Sequence, residues 1–474
     1  MGIARSIQKR LFIGAVLIFL TTMIFDPWRL ENTSGDTISA RYWPVAILKF
    51  DTFKLNPFIG DLGGVAHAAI NHDGDKIVRN GIAMAIFTVP FYWVADAFDW
   101  YGGIWDTERI NHVSRLNAIF IGIASILLLY FLLMRLFDDE RVALTSSAIF
   151  AFGTWNFSFG VQGLTSQATA VLIHFLILHC FLSLCRAEKA RGHLIWTVAL
   201  AILHGTLLGI RPQDILLALP MLLVFRVRRT LTAYTLVFLA LALPIIWINV
   251  TYYGHASGYL GVLADDARRL GWGQWNVNFL PGFFTLLFSP NRGAILFFPF
   301  LLLTPWLTKA SRPVSVWKYW KGVLKSAPDS FGPDSYLTLL STGAALYFAM
   351  LCCYYLWHGG WAYGPRYLYD LEPYLWPAIA LLVKDVLTWM KTKSRPRIRL
   401  LHAIALLFTL ESIFVHALGH RNFDIYVWHY ERGTEVTHAK AWNFDYTLLG
   451  ETWKAGSNRY RWPSAADRLR NYGF

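Results

Sequence analysis

The chain has 474 residues, of which 55% are hydrophobic, 16% aromatic and only 15% charged, with a formal net charge of +13. That balance is too apolar for a soluble globular protein and far from a disordered one, so it describes a polytopic membrane protein. The basic residues come in short bursts between apolar spans instead of lining one patch, which argues against nucleic acid as a partner.

The first element follows Arg5, Lys9 and Arg10. It is an apolar run over 11–25 with no small-residue cleavage site behind it, read as a retained signal anchor. Further spans long enough to cross the hydrocarbon core are expected near 115–135, 142–159, 166–185, 194–210, 231–250, 283–306, 335–355, 374–390 and 400–418, with a shorter one near 213–225. Basic loops at 186–191, 226–229, 309–325 and 391–399 share the cytoplasm with the N-terminus by the positive-inside rule. That rule decides the apolar segment 81–98, because a single crossing there would put every later basic loop outside. It is therefore read as non-spanning, and Pro90 and Asp96 fit a re-entrant or interfacial helix.

The expected fold is an all-α polytopic membrane protein of about eleven transmembrane helices, N-terminus in and C-terminus out. Residues 1–418 form the transmembrane domain, with a large, acidic first outer loop at about 26–114 that carries interfacial helices, and 419–474 form a short outer tail. A second outer loop covers 251–280. Cys180, Cys185, Cys352 and Cys353 all fall in expected spans, where free thiols packed as small apolar groups are expected. No zinc spacing, Walker loop, dinucleotide fingerprint or nucleophile elbow occurs. No cofactor is implied, and a divalent metal is left open.

Polar constellations remain, nearly all at the outer ends of the expected helices. They are the stretch from Gly35 and Asp36 to Arg41 and Tyr42, then Thr154-Trp155-Asn156 with Gln162 and Gln167, then Gly209-Ile210-Arg211-Pro212-Gln213-Asp214. Ser289-Pro290-Asn291-Arg292-Gly293 and the aromatic run from Trp357 to Asp370 complete the set. An unpaired guanidinium at the edge of an apolar stretch normally implies an anionic partner, and arginine grips phosphate in bidentate fashion. Arg211, Arg292 and Arg366 therefore form a candidate clamp for a lipid phosphate.

Gly35-Asp36-Thr37 through Asn56-Pro57-Phe58, the Ser289–Gly293 segment followed by Phe298-Pro299-Phe300, and Gly360-Trp361-Ala362-Tyr363-Gly364-Pro365-Arg366-Tyr367 resemble a bacterial branch of the GT-C superfamily. These are polyprenyl-phosphate-sugar-dependent glycosyltransferases, including protein O-mannosyltransferases and the lipid A aminoarabinose transferase. The resemblance implies an inverting transferase at the periplasmic face of a bacterial inner membrane. It would move a monosaccharide from a polyprenyl-phosphate donor to a glycan, lipid or protein acceptor. Asp36 would be the catalytic acid in the first outer loop, acting as general base. Arg41, Tyr42, Trp155, Trp361, Tyr363, Tyr367 and Asp370 are the substrate-binding candidates. Thr37 stands where the mannosyltransferases commonly carry a second acid, and Thr88-Val89-Pro90-Phe91-Tyr92 replaces their proline-rich first-loop segment.

Each assignment has a structural rival. Asp36 is also a plausible helix N-cap after Ser34-Gly35, Arg292 and Arg366 could pair with loop carboxylates or snorkel to lipid headgroups, and Asp73-Gly74-Asp75 reads as a turn as well as an acid pair. His174, His179, His204 and Glu411, scattered over different spans with no obvious pairing, raise the alternative of a proton-coupled transporter or lipid-linked-sugar flippase.

Overall fold

A computed structural model of the chain describes residues 14, 21, 24–25, 35–58, 69–100, 106–227, 230–269, 278–303, 333–354, 362–389, 396–421 and 438–455. Most of the expected anchor at 11–25, the whole 309–325 loop and Trp361 lie outside the described residues.

The 26–114 region contributes helix α1 (Gly35–Phe50), a hairpin of β1 (Ala69–His72) and β2 (Asp75–Val78), and helix α2 (Ala85–Ala97). The hairpin is an exception to the expected all-α fold, with Ala69 opposite Val78 and His72 opposite Asp75. Its turn residues, Asp73 and Gly74, both have positive φ, the geometry that matches strand twist in two-residue loops. Asp73-Gly74-Asp75 is thus a turn, and Asp75 pairs with Lys54 at 2.6 Å and accepts from Asn56 at 3.0 Å. The apolar helix over Ile82–Ala97 is too short to cross a bilayer at about 1.5 Å per residue, and Ile86 and Trp93 on it are exposed.

The bundle follows with α3 (Thr107–Phe137), α4 (Glu140–Phe152), α5 (Ser166–Arg186), α6 (Ala190–Ile210), α7 (Leu231–Tyr253) and the amphipathic α8 (Tyr259–Arg269). Then come α9 (Phe279–Phe288), α10 (Pro333–Cys353), α11 (Glu372–Trp389), α12 (Pro396–Arg421) and α13 (Leu448–Ala455). Side chains start several of them: Asp106 accepts from Arg109 N at 2.8 Å, Asp139 from Arg141 N at 3.0 Å, and Thr165 from Ala168 N at 3.1 Å. Among the described residues, five helices are long and apolar enough to cross a membrane: α3, α5, α6, α7 and the Ala403–Arg421 part of α12. This is a multi-pass membrane protein. The most apolar stretch of α5 is 78% buried and that of α7 only 11%, so α5 is the central strut and α7 the lipid-facing edge.

Three expected spans are broken instead of continuous. The 142–159 span stops at Phe152, passes Gly153 and resumes as a single π turn over Asn156–Gly160, closed by Val161 N to Asn156 O at 3.0 Å. The 213–225 segment is a run of short turns punctuated by Pro212 and Pro220, and 283–306 divides at Ser289-Pro290 and again at Pro299. Proline withholds an N–H and crowds the preceding turn, so an apolar run containing it need not be one helix. All four cysteines are free thiols.

Candidate functional site

Asp36 lies at the start of the described part of α1, and residues 26–34 before it lie outside the described residues. Its side chain lies outside the described residues. On the same helix, buried Arg41 lies 5.2 Å over the Tyr42 ring, and its Nε and Nη1 have no hydrogen-bond partner among the described residues. Tyr42 is enclosed, packing on Phe58 at 5.0 Å and reaching Thr107 Oγ1 at 3.4 Å.

The polar constellations between 166 and 370 converge on two assemblies. In the first, Arg211 leaves the C-terminal end of α6 and donates to Asp370 at 2.7 Å, with Asp214 at 3.4 Å and Ser166 Oγ at 3.4 Å. The Tyr347 hydroxyl touches Asp214 at 3.0 Å and Asp370 at 2.9 Å. His174 contacts Asp214 through Nε2 at 3.2 Å and Tyr374 through Nδ1 at 3.1 Å. A hydroxyl carries one proton and cannot fully serve two carboxylates, so the arrangement closes when one of the two carboxyls is protonated. Burial raises Asp370 to about 8 although Arg211 pulls it down, and the Asp214 carboxylate adds to the rise. One guanidinium, one carboxylate and one carboxylic acid then leave this buried group close to neutral.

The 26–114 region docks onto that end of α6. A Cβ on Gly81 would fall 2.3 Å from the carbonyl oxygens of both Gly209 and Ile210, so only glycine permits the approach beside Arg211. Tyr253 adds two contacts, donating toward Val78 O and Asn80 O at 3.1 Å each.

In the second assembly, Arg292 Nη1 donates to the carbonyls of Ala362 and Gly364 at 2.5 Å each. The Ser289–Gly293 motif is thereby clipped to the motif that carries Arg366. Gly364 has φ +71°, and a Cβ there would meet the Phe297 ring at 2.7 Å, so this carbonyl geometry depends on glycine. Arg366 lies 5.6 Å over the Phe159 ring and 5.5 Å over Tyr367, whose ring also has Arg211 at 5.5 Å. Two of the three arginines expected as a clamp, Arg211 and Arg366, are therefore neighbours over the half-buried Tyr367 ring, and Arg292 meets the same segment through the Ala362 and Gly364 carbonyls.

The other aromatic candidates are packed against protein. Trp155 is 1% exposed between Phe297, Phe298 and His416, and Tyr363 is equally enclosed, donating to Val415 O at 2.8 Å. A sugar would reach either ring only by displacing packed neighbours.

The histidines, which show no obvious pairing in the sequence, have partners in space. Besides His174, His204 contacts the Tyr234 hydroxyl at 2.8 Å and His179 lies 3.2 Å from Arg135 Nη1. The sequence could not show this, because each partner sits on another helix.

Two features had no reading in the sequence. His416 Nε2 meets Phe297 O at 2.8 Å, which fixes the proton there and leaves Nδ1 to accept from Ser158 Oγ at 2.7 Å, tying α12 to the π turn. Asn291 binds the segment 438–455, its Nδ2 donating toward the carbonyls of Lys440, Ala441 and Asn443 and its Oδ1 accepting from Leu448 N. A buried Asn beside Arg292 was the only signal available for it.

Among the described residues no group of three or more His, Cys, Asp or Glu side chains could hold a metal ion. No protein-family model matches the chain, and no curated protein matches it. Among solved structures it is similar to ArnT from Cupriavidus metallidurans in the apo state, with 15% identity over 95% of this chain and 78% of that one, at a TM-score of 0.45. For ArnT bound to undecaprenyl phosphate the identity is 14% over 97% of this chain and 81% of that one, at 0.47. Archaeal oligosaccharyltransferase AglB from Archaeoglobus fulgidus, in complex with an inhibitory peptide and a dolichol-phosphate, matches with 13% identity over 87% of this chain and 55% of its own, at 0.48.

Proposed function

We propose that this chain is an inverting membrane glycosyltransferase that moves a monosaccharide from a polyprenyl-phosphate donor to an acceptor at the outer face of a bacterial cytoplasmic membrane. The observation that carries this reading is the clip from Arg292 to the Ala362 and Gly364 carbonyls, which joins two arginine-bearing motifs beside a half-buried tyrosine. Arginine grips phosphate in bidentate fashion, so two arginine-bearing motifs held together in this way suit a phosphate.

In this mechanism Asp36 takes the proton of an acceptor hydroxyl as its oxygen attacks the anomeric carbon from the face opposite the phosphate. The bond from that carbon to the phosphate oxygen breaks, the electron pair leaves with polyprenyl phosphate, and the product is inverted. Arg292 and Arg366 meet the growing negative charge in a site poor in water, where fixed charge counts for more. Arg211, held by Asp370 and Asp214, supports the Arg366 segment.

The test is mass spectrometry of envelope glycans and proteins from cells lacking the protein, complemented with wild type or Asp36→Asn at equal membrane levels. The reading expects a monosaccharide-sized mass restored by wild type alone. Equal restoration by both removes Asp36 as the base. The buried ionisable group around His174 and Asp214 favours a second reading, a transporter or lipid-linked-sugar flippase, which moves ahead if no glycan changes at all.

A further inference from the structure

We infer that Arg41 grips the phosphate of the lipid donor from the helix that carries Asp36, which deepens the polyprenyl-phosphate reading above and rests on it. Arg41 is only 5% exposed, yet no oxygen meets its guanidinium. Its Nε and Nη1 are buried with no hydrogen-bond partner, while Nη2, equally without a partner among the described residues, is not sealed and forms the open edge of the fork. Its charge rests on the face of the neighbouring Tyr42 ring, 5.2 Å away. A guanidinium taken out of water without an oxygen partner is costly, and an oxyanion is the ligand that relieves the cost.

Three acids of the same region are committed to other cations. Asp75 pairs with Lys54 at 2.6 Å, Asp96 with Lys49 at 2.7 Å, and Asp106 lies 3.4 Å from Arg109 Nε. The helix is also locked against turning Arg41 into water. Ser39 accepts from Arg79 N at 3.3 Å, Tyr42 packs on Phe58 at 5.0 Å, and the enclosed Trp43 lies against Phe53.

The placement suits the reaction. In an in-line displacement the base and the leaving phosphate stand on opposite faces of the anomeric carbon, so one helix serves both only through residues set apart along it. Arg41 comes five residues after Asp36, about 7.5 Å further along the axis. The close approach of Gly81 to Gly209 and Ile210 sets this unit against the end of α6, where Arg211 shares the Tyr367 ring with Arg366. Arg211 and Arg292 already meet a carboxyl group and two carbonyls, whereas Arg41 meets no oxygen.

The experiment uses the full chain in phosphatidylcholine nanodiscs and measures binding of undecaprenyl phosphate, with uncharged undecaprenol and phosphatidic acid as controls. Wild type, Arg41→Met and Arg41→Lys are compared, together with their unfolding midpoints without added ligand. The expected result is about tenfold weaker undecaprenyl phosphate binding by Arg41→Met, an intermediate loss by Arg41→Lys, which keeps the charge without the fork, and unchanged undecaprenol binding. The midpoint of Arg41→Met should equal or exceed that of wild type, because removing an unpaired buried charge strands no partner. The inference is overturned if Arg41→Met binds undecaprenyl phosphate as wild type does, or if its midpoint falls, which marks a structural role. It is also overturned if phosphatidic acid matches undecaprenyl phosphate in affinity and in its loss, since Arg41 would then serve any lipid phosphate. If wild type itself binds undecaprenyl phosphate no better than undecaprenol, the donor reading falls and takes this inference with it, a failure seen without any variant.

Discussion

The two arginine assemblies both engage the segment 362–370 yet bury a guanidinium against different oxygens. Arg211 is met by carboxyl groups, Asp370 at 2.7 Å and Asp214 at 3.4 Å, so its charge is cancelled within the protein. Arg292, equally buried, donates to the backbone carbonyls of Ala362 and Gly364. The first arrangement ties side chains of separate elements together by charge, whereas the second fixes the course of a loop. The difference teaches that burial alone does not tell what an arginine does; the oxygens it meets say more.

The largest expected effect comes from breaking the neutral assembly. Asp370→Ala removes the 2.7 Å partner of the buried Arg211 guanidinium and leaves Asp214 at 3.4 Å, and it should cost about 3 kcal/mol, read as a lowered unfolding midpoint in detergent. Replacing both partners, Arg211→Met with Asp370→Leu, should recover most of that loss, and no recovery would mean that Arg211 is not a structural cation. Arg292→Lys sharpens the contrast from the other side, since it keeps the charge and loses the fork. It should cost about 1.5–3 kcal/mol in donor binding, and wild-type affinity for undecaprenyl phosphate would show that the carbonyl clip is dispensable.

Gly364→Ala tests the backbone beneath that clip. Left-handed geometry costs an ordinary residue about 1–2 kcal/mol, and contact with Phe297 adds to it, so the midpoint should fall by less than for Asp370→Ala. The smallest effect belongs to the exposed pair at the hairpin. Lys54, chiefly by its hydrogen bond, lowers the Asp75 carboxyl below its ordinary value of 3.8. Its stabilisation is complete above that value and is lost as the pH falls through the lower folded value. Amide exchange in the hairpin of wild type should therefore quicken, relative to the intrinsic rate, only at strongly acidic pH, while in Asp75→Asn this step should be absent.

Much of the candidate site was legible because its residues are unusual where they stand. Arginines beside apolar runs, and glycine and proline inside otherwise helical patterns, picked out 209–214, 289–293 and 357–370 without any structure. Aromatic residues were not legible in the same way. Trp155 and Tyr363 look like ligand-stacking rings in sequence, and in the structure protein encloses both, since sequence does not show what surrounds a ring. Expected spans failed where a local break outweighed apolar content, as at Gly153 and Ser289-Pro290.

Composition by itself determined that this is a membrane protein, because so apolar a chain has no other solvent. The spacing of its apolar runs determined most of the long helices, since each must satisfy its own backbone within the bilayer. Only the tertiary structure decided which arginine is cancelled, which histidines are paired and where the 438–455 segment lies. Those outcomes depend on contacts such as Arg211 with Asp370 and Asn291 with Lys440, 159 and 149 residues apart, and no local pattern encodes a partner at that distance.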